Sequence, residues 1–225
     1  MLHWALLHSP LTGPAVWDSL AREARRHGIE TQVLTMPDLS VIDPPFYWRI
    51  AADLARQIEG STNLIVHSGA GGLAACLAAT CAGNISQVVF VDAILPHPNR
   101  NWFATANASF AERIRSMVTD GMVPSWDRWF PEGALANLIP DHADRKRFTR
   151  ELKPVPVAFL DEVAPGTELD TMSGWSYLRI SKVYEDEAKA ARHLGYPTLR
   201  LDLHHLAMMT HPAEVVAALR NLVRG

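Results

Sequence analysis

Apolar positions along the chain fall into two alternating patterns. Leu2 to His8 is an almost unbroken apolar run ending in Ser9, Pro10 and Gly13, as a strand buried on both faces would. From Ala15 to His27 apolar residues recur at helical spacing, with Pro14 at the entry and Gly28 as a stop. Glu30 to Thr35 predicts a second strand, closed by Pro37, and Tyr47 to Glu59 a helix ended by Gly60. Asn63 to His67 predicts a third strand that runs straight into Ser68-Gly69-Ala70-Gly71-Gly72. An Ala- and Leu-rich helix follows to about Cys81, and a fourth strand, Gln87 to Val91, ends at Asp92.

The alternation then breaks. Residues 97–168 carry Trp102, Trp126, Trp129, several prolines and only short helical stretches. Regularity resumes with a strand at Trp175 to Ile180, a helix at Tyr184 to Leu194 before Gly195, and a strand at Thr198 to Leu203. A helix from Pro212 completes the pattern. Strand alternating with helix predicts an α/β fold: a mostly parallel sheet of about six strands with helices on both faces. The irregular stretch predicts a small helical cap inserted after the fourth strand. The expected division is a core of residues 1–96 and 169–225 and an inserted cap of residues 97–168.

Composition narrows the function. The 225 residues suit one domain, and a formal net charge of -3 gives no general attraction to nucleic acid or anionic membranes. No stretch approaches the roughly 20 apolar residues of a membrane span, and the first residues, MLHWALLHSP, have no basic n-region of a secretory signal. Cys76 and Cys81 lie five apart on one predicted helix, facing different ways, so no disulfide framework is expected and a reducing cytoplasm fits.

Candidate chemistry sits at strand ends, where a parallel sheet opens a crevice. Ser68, Asp92 and His205 stand there, in that chain order. Val66-His67-Ser68-Gly69-Ala70 resembles the nucleophile elbow, G-x-S-x-G, of the α/β-hydrolase family, with Val66 and Ala70 replacing the outer glycines. Asp202 to Pro212 resembles that family's final strand, histidine loop and last helix, with His205 in the histidine's place. The resemblance implies Ser68 as nucleophile, His205 as base and the Gly69 N–H as an oxyanion donor. His204 and His211 read as surface residues at a helix entry, and no zinc pattern is present.

The acid is open. Val89 to Pro96 resembles the strand end where haloalkane dehalogenases of this fold often carry a catalytic carboxylate, which favours Asp92. Glu185 and Asp186, after the next-to-last strand, are the alternatives. The run His8-Ser9-Pro10 resembles the family's H-G-x oxyanion loop of small esterases and hydroxynitrile lyases, but Pro10 at x has no N–H to give. The Leu11 N–H, or the Ser9 or Thr12 hydroxyl, must then supply the second donor. Trp102, Trp126 and Trp129 are candidate substrate-binding residues; Trp4 and Trp17 are expected in the core.

The resemblance implies hydrolysis of a small apolar or aromatic ester, lactone or thioester, with no cofactor and no metal. A C–C lyase of the hydroxynitrile type, assisted by Lys182, and a non-catalytic ligand-binding protein remain as alternatives. The expected partner is a small-molecule substrate, not nucleic acid or membrane, and a homodimer is left open.

Overall fold

The computed structural model describes residues 3–81, 83–166 and 174–224. The expected strand start at Leu2 and the expected boundary between residues 168 and 169 lie outside the described residues. The chain begins with β1 (His3–Leu7), whose apolar run is buried from Trp4 onward. A 3-10 turn at Pro14–Trp17 leads into α1 (Asp18–Arg26). Leu20, Ala21 and Ala24 form its buried stripe. Gly28, at φ 71°, turns the chain into β2 (Glu30–Leu34). Then come α2 (Phe46–Ala55), β3 (Thr62–His67), α3 (Ala74–Thr80) and β4 (Ile85–Val91).

The segment that follows β4 holds short elements: α4 (Ala108–Ser116), β5 (Met122–Val123), α5 (Ala134–Leu138), α6 (His142–Arg150), β6 (Val155–Pro156) and α7 (Val157–Asp161). The main sheet resumes with β7 (Trp175–Arg179), α8 (Glu185–His193) and β8 (Thr198–Arg200). The chain closes with α9 (Ala207–Thr210) and α10 (Pro212–Arg224). The last strand is shorter than Thr198 to Leu203, yet Leu201 and Leu203 still donate to Arg179 and Ile180 beyond its end.

The six long strands form one sheet, ordered β2-β1-β3-β4-β7-β8, and every neighbouring pair is parallel. All C-terminal ends therefore open on one rim. Trp4 and Trp17 are fully buried in the core beneath it. Carboxylates of the inserted segment tie it to the core. Glu151 accepts the Ala15 N–H at 2.7 Å, and Glu162 accepts the Phe46 and Tyr47 N–H groups at the entry to α2. Each satisfies backbone donors that a helix start leaves free. Among the described residues no helix is long and apolar enough to cross a membrane.

Candidate active site

Ser68 follows β3 at φ 56°, a left-handed conformation that a non-glycine residue adopts only when its surroundings hold it there. The chain does not enter an α-helix directly, as the Ala-rich run suggested; it first winds through a 3-10 turn, Ser68–Leu73. Close packing explains the tight winding. A Cβ on Gly71 would stand 1.9 Å from the Ile94 carbonyl oxygen, and one on Gly72 2.8 Å from His97 Cε1. Only glycine lets this turn pass the end of β4.

Asp92, at φ 40°, leaves β4 fully buried. Its Oδ1 accepts N–H groups from Ile180 at 2.6 Å and Ser181 at 3.0 Å. Its Oδ2 accepts the Ser181 hydroxyl and lies 3.2 Å from His205 Nδ1. His205 Nε2 lies 3.1 Å from Ser68 Oγ. The three residues singled out at strand ends thus meet in one hydrogen-bonded line. A carboxylate only accepts, so Nδ1 carries the imidazole proton and Nε2 is left free to take one from Ser68.

Two further groups complete this flank. The Tyr184 ring stacks on His205 with centroids 4.9 Å apart and planes 8° from parallel, and its hydroxyl lies 3.3 Å from Ser68 Oγ. Burial pushes its phenol well above the usual range. Beneath His205 lies His67, with ring centroids 4.5 Å apart and Nε2 3.1 Å from the His205 carbonyl oxygen. Burial holds His67 well below the ordinary imidazole value.

The other carboxylates lie elsewhere. Glu185 pairs with Arg200 and Arg179, and Asp186 is exposed and paired with Lys189. Lys182 is exposed, and the side-chain hydrogen bonds of Ser68 Oγ among the described residues go to His205 and Tyr184. His204 and His211 both bond the Thr210 hydroxyl, each at 2.8 Å.

The loop after β1 folds on Ser9. Its carbonyl accepts from His8 Nδ1, the Thr12 N–H and the Thr12 hydroxyl. The Leu11 N–H, the expected second oxyanion donor, is instead directed at Ser9 Oγ, 3.2 Å away. A turn two residues long brings that N–H back to the side chain it follows. Of the three substitutes for Pro10, only the Ser9 hydroxyl keeps a hydrogen with no acceptor among the described residues. Ser9 Oγ lies against Gly69, 3.0 Å from where a Cβ would be. Burial lowers the pKa of His8.

Beside Gly69 is an apolar cavity with about 10 Å³ of free space, walled by Pro10, Leu11, Tyr47, Ile94, Trp102 and Phe159. Trp126 reaches the site from the other side, its ring centroid 6.3 Å from that of His205. Trp129 does not reach it. Its Nε1 donates to the Pro124 carbonyl, and its ring packs behind Trp102, 5.9 Å away, because the inserted segment needs its own core. Among the described residues no cluster of three His, Cys, Asp or Glu could hold a metal ion. Cys76 and Cys81 are free and buried, with the Cys76 thiol pushed up to about 11. Ser181 and Tyr184 escape the sequence reading, although both follow the end of β7, where chemistry in a parallel sheet collects.

No protein-family model and no curated protein matches the chain. Solved structures do. An extracellular α/β-hydrolase from a Paenibacillus species, described as sharing structural and functional homology with tobacco salicylic acid binding protein 2, aligns over 100% of both chains with a TM-score of 0.81 at 17% identity. Polyneuridine aldehyde esterase aligns over 99% of both chains with a TM-score of 0.71 at 15% identity. A pyrethroid hydrolase from Sphingobium faniae JZ-2 aligns over 100% of this chain and 98% of its own, with a TM-score of 0.69 at 16% identity. The chain has the α/β-hydrolase fold.

Proposed function

We propose that this protein is a serine-dependent hydrolase of a small apolar or aromatic ester, lactone or thioester, working through Ser68, His205 and Asp92. The observation that carries the reading is the unbroken line from Asp92 through His205 to a serine held at positive φ. Likeness in fold to an esterase and a pyrethroid hydrolase supports it.

Ser68 Oγ attacks the substrate carbonyl carbon while His205 Nε2 takes its proton, and Asp92 stabilises the resulting imidazolium. The carbonyl oxygen becomes an oxyanion facing the Gly69 N–H and the Ser9 hydroxyl, whose oxygen is polarised by the Leu11 N–H. Collapse expels the alcohol or thiol, protonated by His205, and leaves an acyl-enzyme. Water activated by His205 then releases the acid. Residues 97–168 act as a cap, with Trp102 and Trp126 bounding the substrate. The apolar cavity has room for about one water-sized group, so the acyl tail it takes is short.

Fluorophosphonate labelling read by intact mass tests the reading. One adduct is expected on the natural protein and none on Ser68→Ala; a natural protein that stays unlabelled overturns it. Among p-nitrophenyl esters, acetate is expected to be turned over fastest, with a steep fall as the acyl chain lengthens.

A further inference from the structure

We propose that Tyr184 is a further catalytic residue, whose hydroxyl donates a hydrogen bond to Ser68 Oγ and stabilises that oxygen as it leaves the acyl-enzyme. The inference rests on the hydrolase reading above and deepens it.

A count of hydrogens fixes the direction of the bond. Asp92 accepts from His205 Nδ1, so Nε2 bears no hydrogen. The single hydroxyl hydrogen of Ser68 points to Nε2, 3.1 Å away. Between Ser68 and Tyr184 the only hydrogen left is the phenolic one, and Tyr184 is the donor across 3.3 Å. Stacking on His205 holds the ring in place, at 4.9 Å and 8°. Burial keeps the phenol protonated throughout the ordinary pH range.

The benefit of this bond differs between the two halves of the reaction. In the resting protein Oγ is a hydroxyl oxygen, already a fair acceptor, and the bond strengthens only modestly as Oγ attacks. In the acyl-enzyme Oγ is an ester oxygen, a poor acceptor. When the second tetrahedral intermediate collapses, the C–Oγ bond breaks, its electron pair stays on Oγ, and His205 delivers the proton. Negative charge then grows on an atom that had almost none. A hydrogen bond to a charged oxygen is worth more than one to a neutral oxygen, so the gain falls mainly on deacylation. A thin oxyanion loop, where Pro10 offers no N–H and the Leu11 N–H is directed at Ser9, raises the value of a donor on the other oxygen.

The test is stopped-flow hydrolysis of p-nitrophenyl acetate by the natural protein, Tyr184→Phe and Tyr184→Leu. Phenylalanine keeps the stacked ring, and an unchanged melting temperature verifies its fold. For Tyr184→Phe we expect kcat to fall about 10- to 100-fold, with a burst of one p-nitrophenol per protein before the slow steady state. Fluorophosphonate labelling, which needs only attack by Ser68, should slow far less than turnover. Full activity in Tyr184→Phe with loss only in Tyr184→Leu overturns the proposal, because the ring alone would then matter. A loss without a burst also overturns it, since acylation would be the damaged step. Should the natural protein itself neither label nor turn over, the hydrolase reading falls first and takes this one with it.

Discussion

The two flanks of Ser68 are built in opposite ways. On the proton side, Asp92 from the end of β4 is held by Ile180 and Ser181 past the end of β7, and His205 arrives from beyond β8. Tyr184 covers one face of the imidazole, and His67 lies beneath it. On the carbonyl side a single loop, His8 to Thr12, closes on its own Ser9, whose hydroxyl keeps a hydrogen with no acceptor among the described residues. One flank is held from several strand ends; the other rests on one loop, whose Ser9 hydroxyl lies against Gly69. Each flank should therefore fail in its own manner: the proton flank through the one carboxylate that fixes the imidazole tautomer, the carbonyl flank through loss of a donor that stands beside the Gly69 N–H.

The largest effect is expected from Asp92→Asn. An amide in this pocket can offer its oxygen to the two backbone N–H groups or to His205, but not both, and it favours the wrong imidazole tautomer. We expect turnover of p-nitrophenyl acetate to fall about 10⁴-fold, while Asp186→Asn leaves it unchanged. Comparable losses in the two variants, or the reverse order, would break the assignment of the acid and with it the strength of the proton flank.

Next in size is Ser9→Ala. Loss of one oxyanion donor lowers kcat about 100- to 1,000-fold, and we expect the lower end because the freed Leu11 N–H can turn partly toward the site. KM should move little, and Ser9→Thr, which keeps the hydroxyl, should retain most activity. If Ser9→Ala keeps full kcat, the carbonyl flank works through Gly69 alone and the contrast drawn above collapses.

How much of this was legible in the sequence follows the same divide. Strand ends are readable because buried parallel strands are long apolar runs, so Ser68, Asp92 and His205 could be picked out as polar residues where such runs stop. Their convergence follows from one direction shared by the strands of the main sheet. The break in alternation after Asp92 likewise marks where the short elements α4 to α7 replace regular strand and helix between β4 and β7. The loop after β1 was half legible: Pro10 excludes itself through its chemistry, but whether Leu11 or Ser9 presents a hydrogen is decided by one turn, which periodicity does not encode. Trp129 reads the same as Trp102 and Trp126 in sequence, and only packing behind Trp102 separates them. Tyr184 carries only the weak signal of following the end of β7, since a tyrosine opening a helix is ordinary until its hydroxyl is found beside Ser68.

The smallest effect concerns stability, and it tests whether His67 joins the two flanks as a neutral spacer. Its Nε2–H donates to the His205 carbonyl, and its Nδ1 is buried without a partner, a setting that opposes a positive charge. Burial lowers its pKa, so the folded protein keeps it neutral while the unfolded chain takes up a proton as pH drops below the ordinary 6.5. The unfolded state then binds more protons, and stability declines with falling pH by at most about 1.4 kcal/mol per pH unit for one such group. His8, His97 and His204 are shifted the same way by burial and add to the slope. Glu151 and Glu187 are raised by burial and act oppositely, in the more acid range where carboxylates titrate. We therefore expect a melting temperature that is flat between about pH 7 and 8 and falls between pH 6.5 and 5, with a separate alkaline decline as the thiols and phenols that burial raises ionise in the unfolded chain. In His67→Gln, which keeps an N–H for the His205 carbonyl but cannot ionise, the fall should be shallower by about one proton's worth. An unchanged slope in that variant would mean that His67 already accepts a proton in the folded protein, and that the space beneath His205 is wetter than its burial implies.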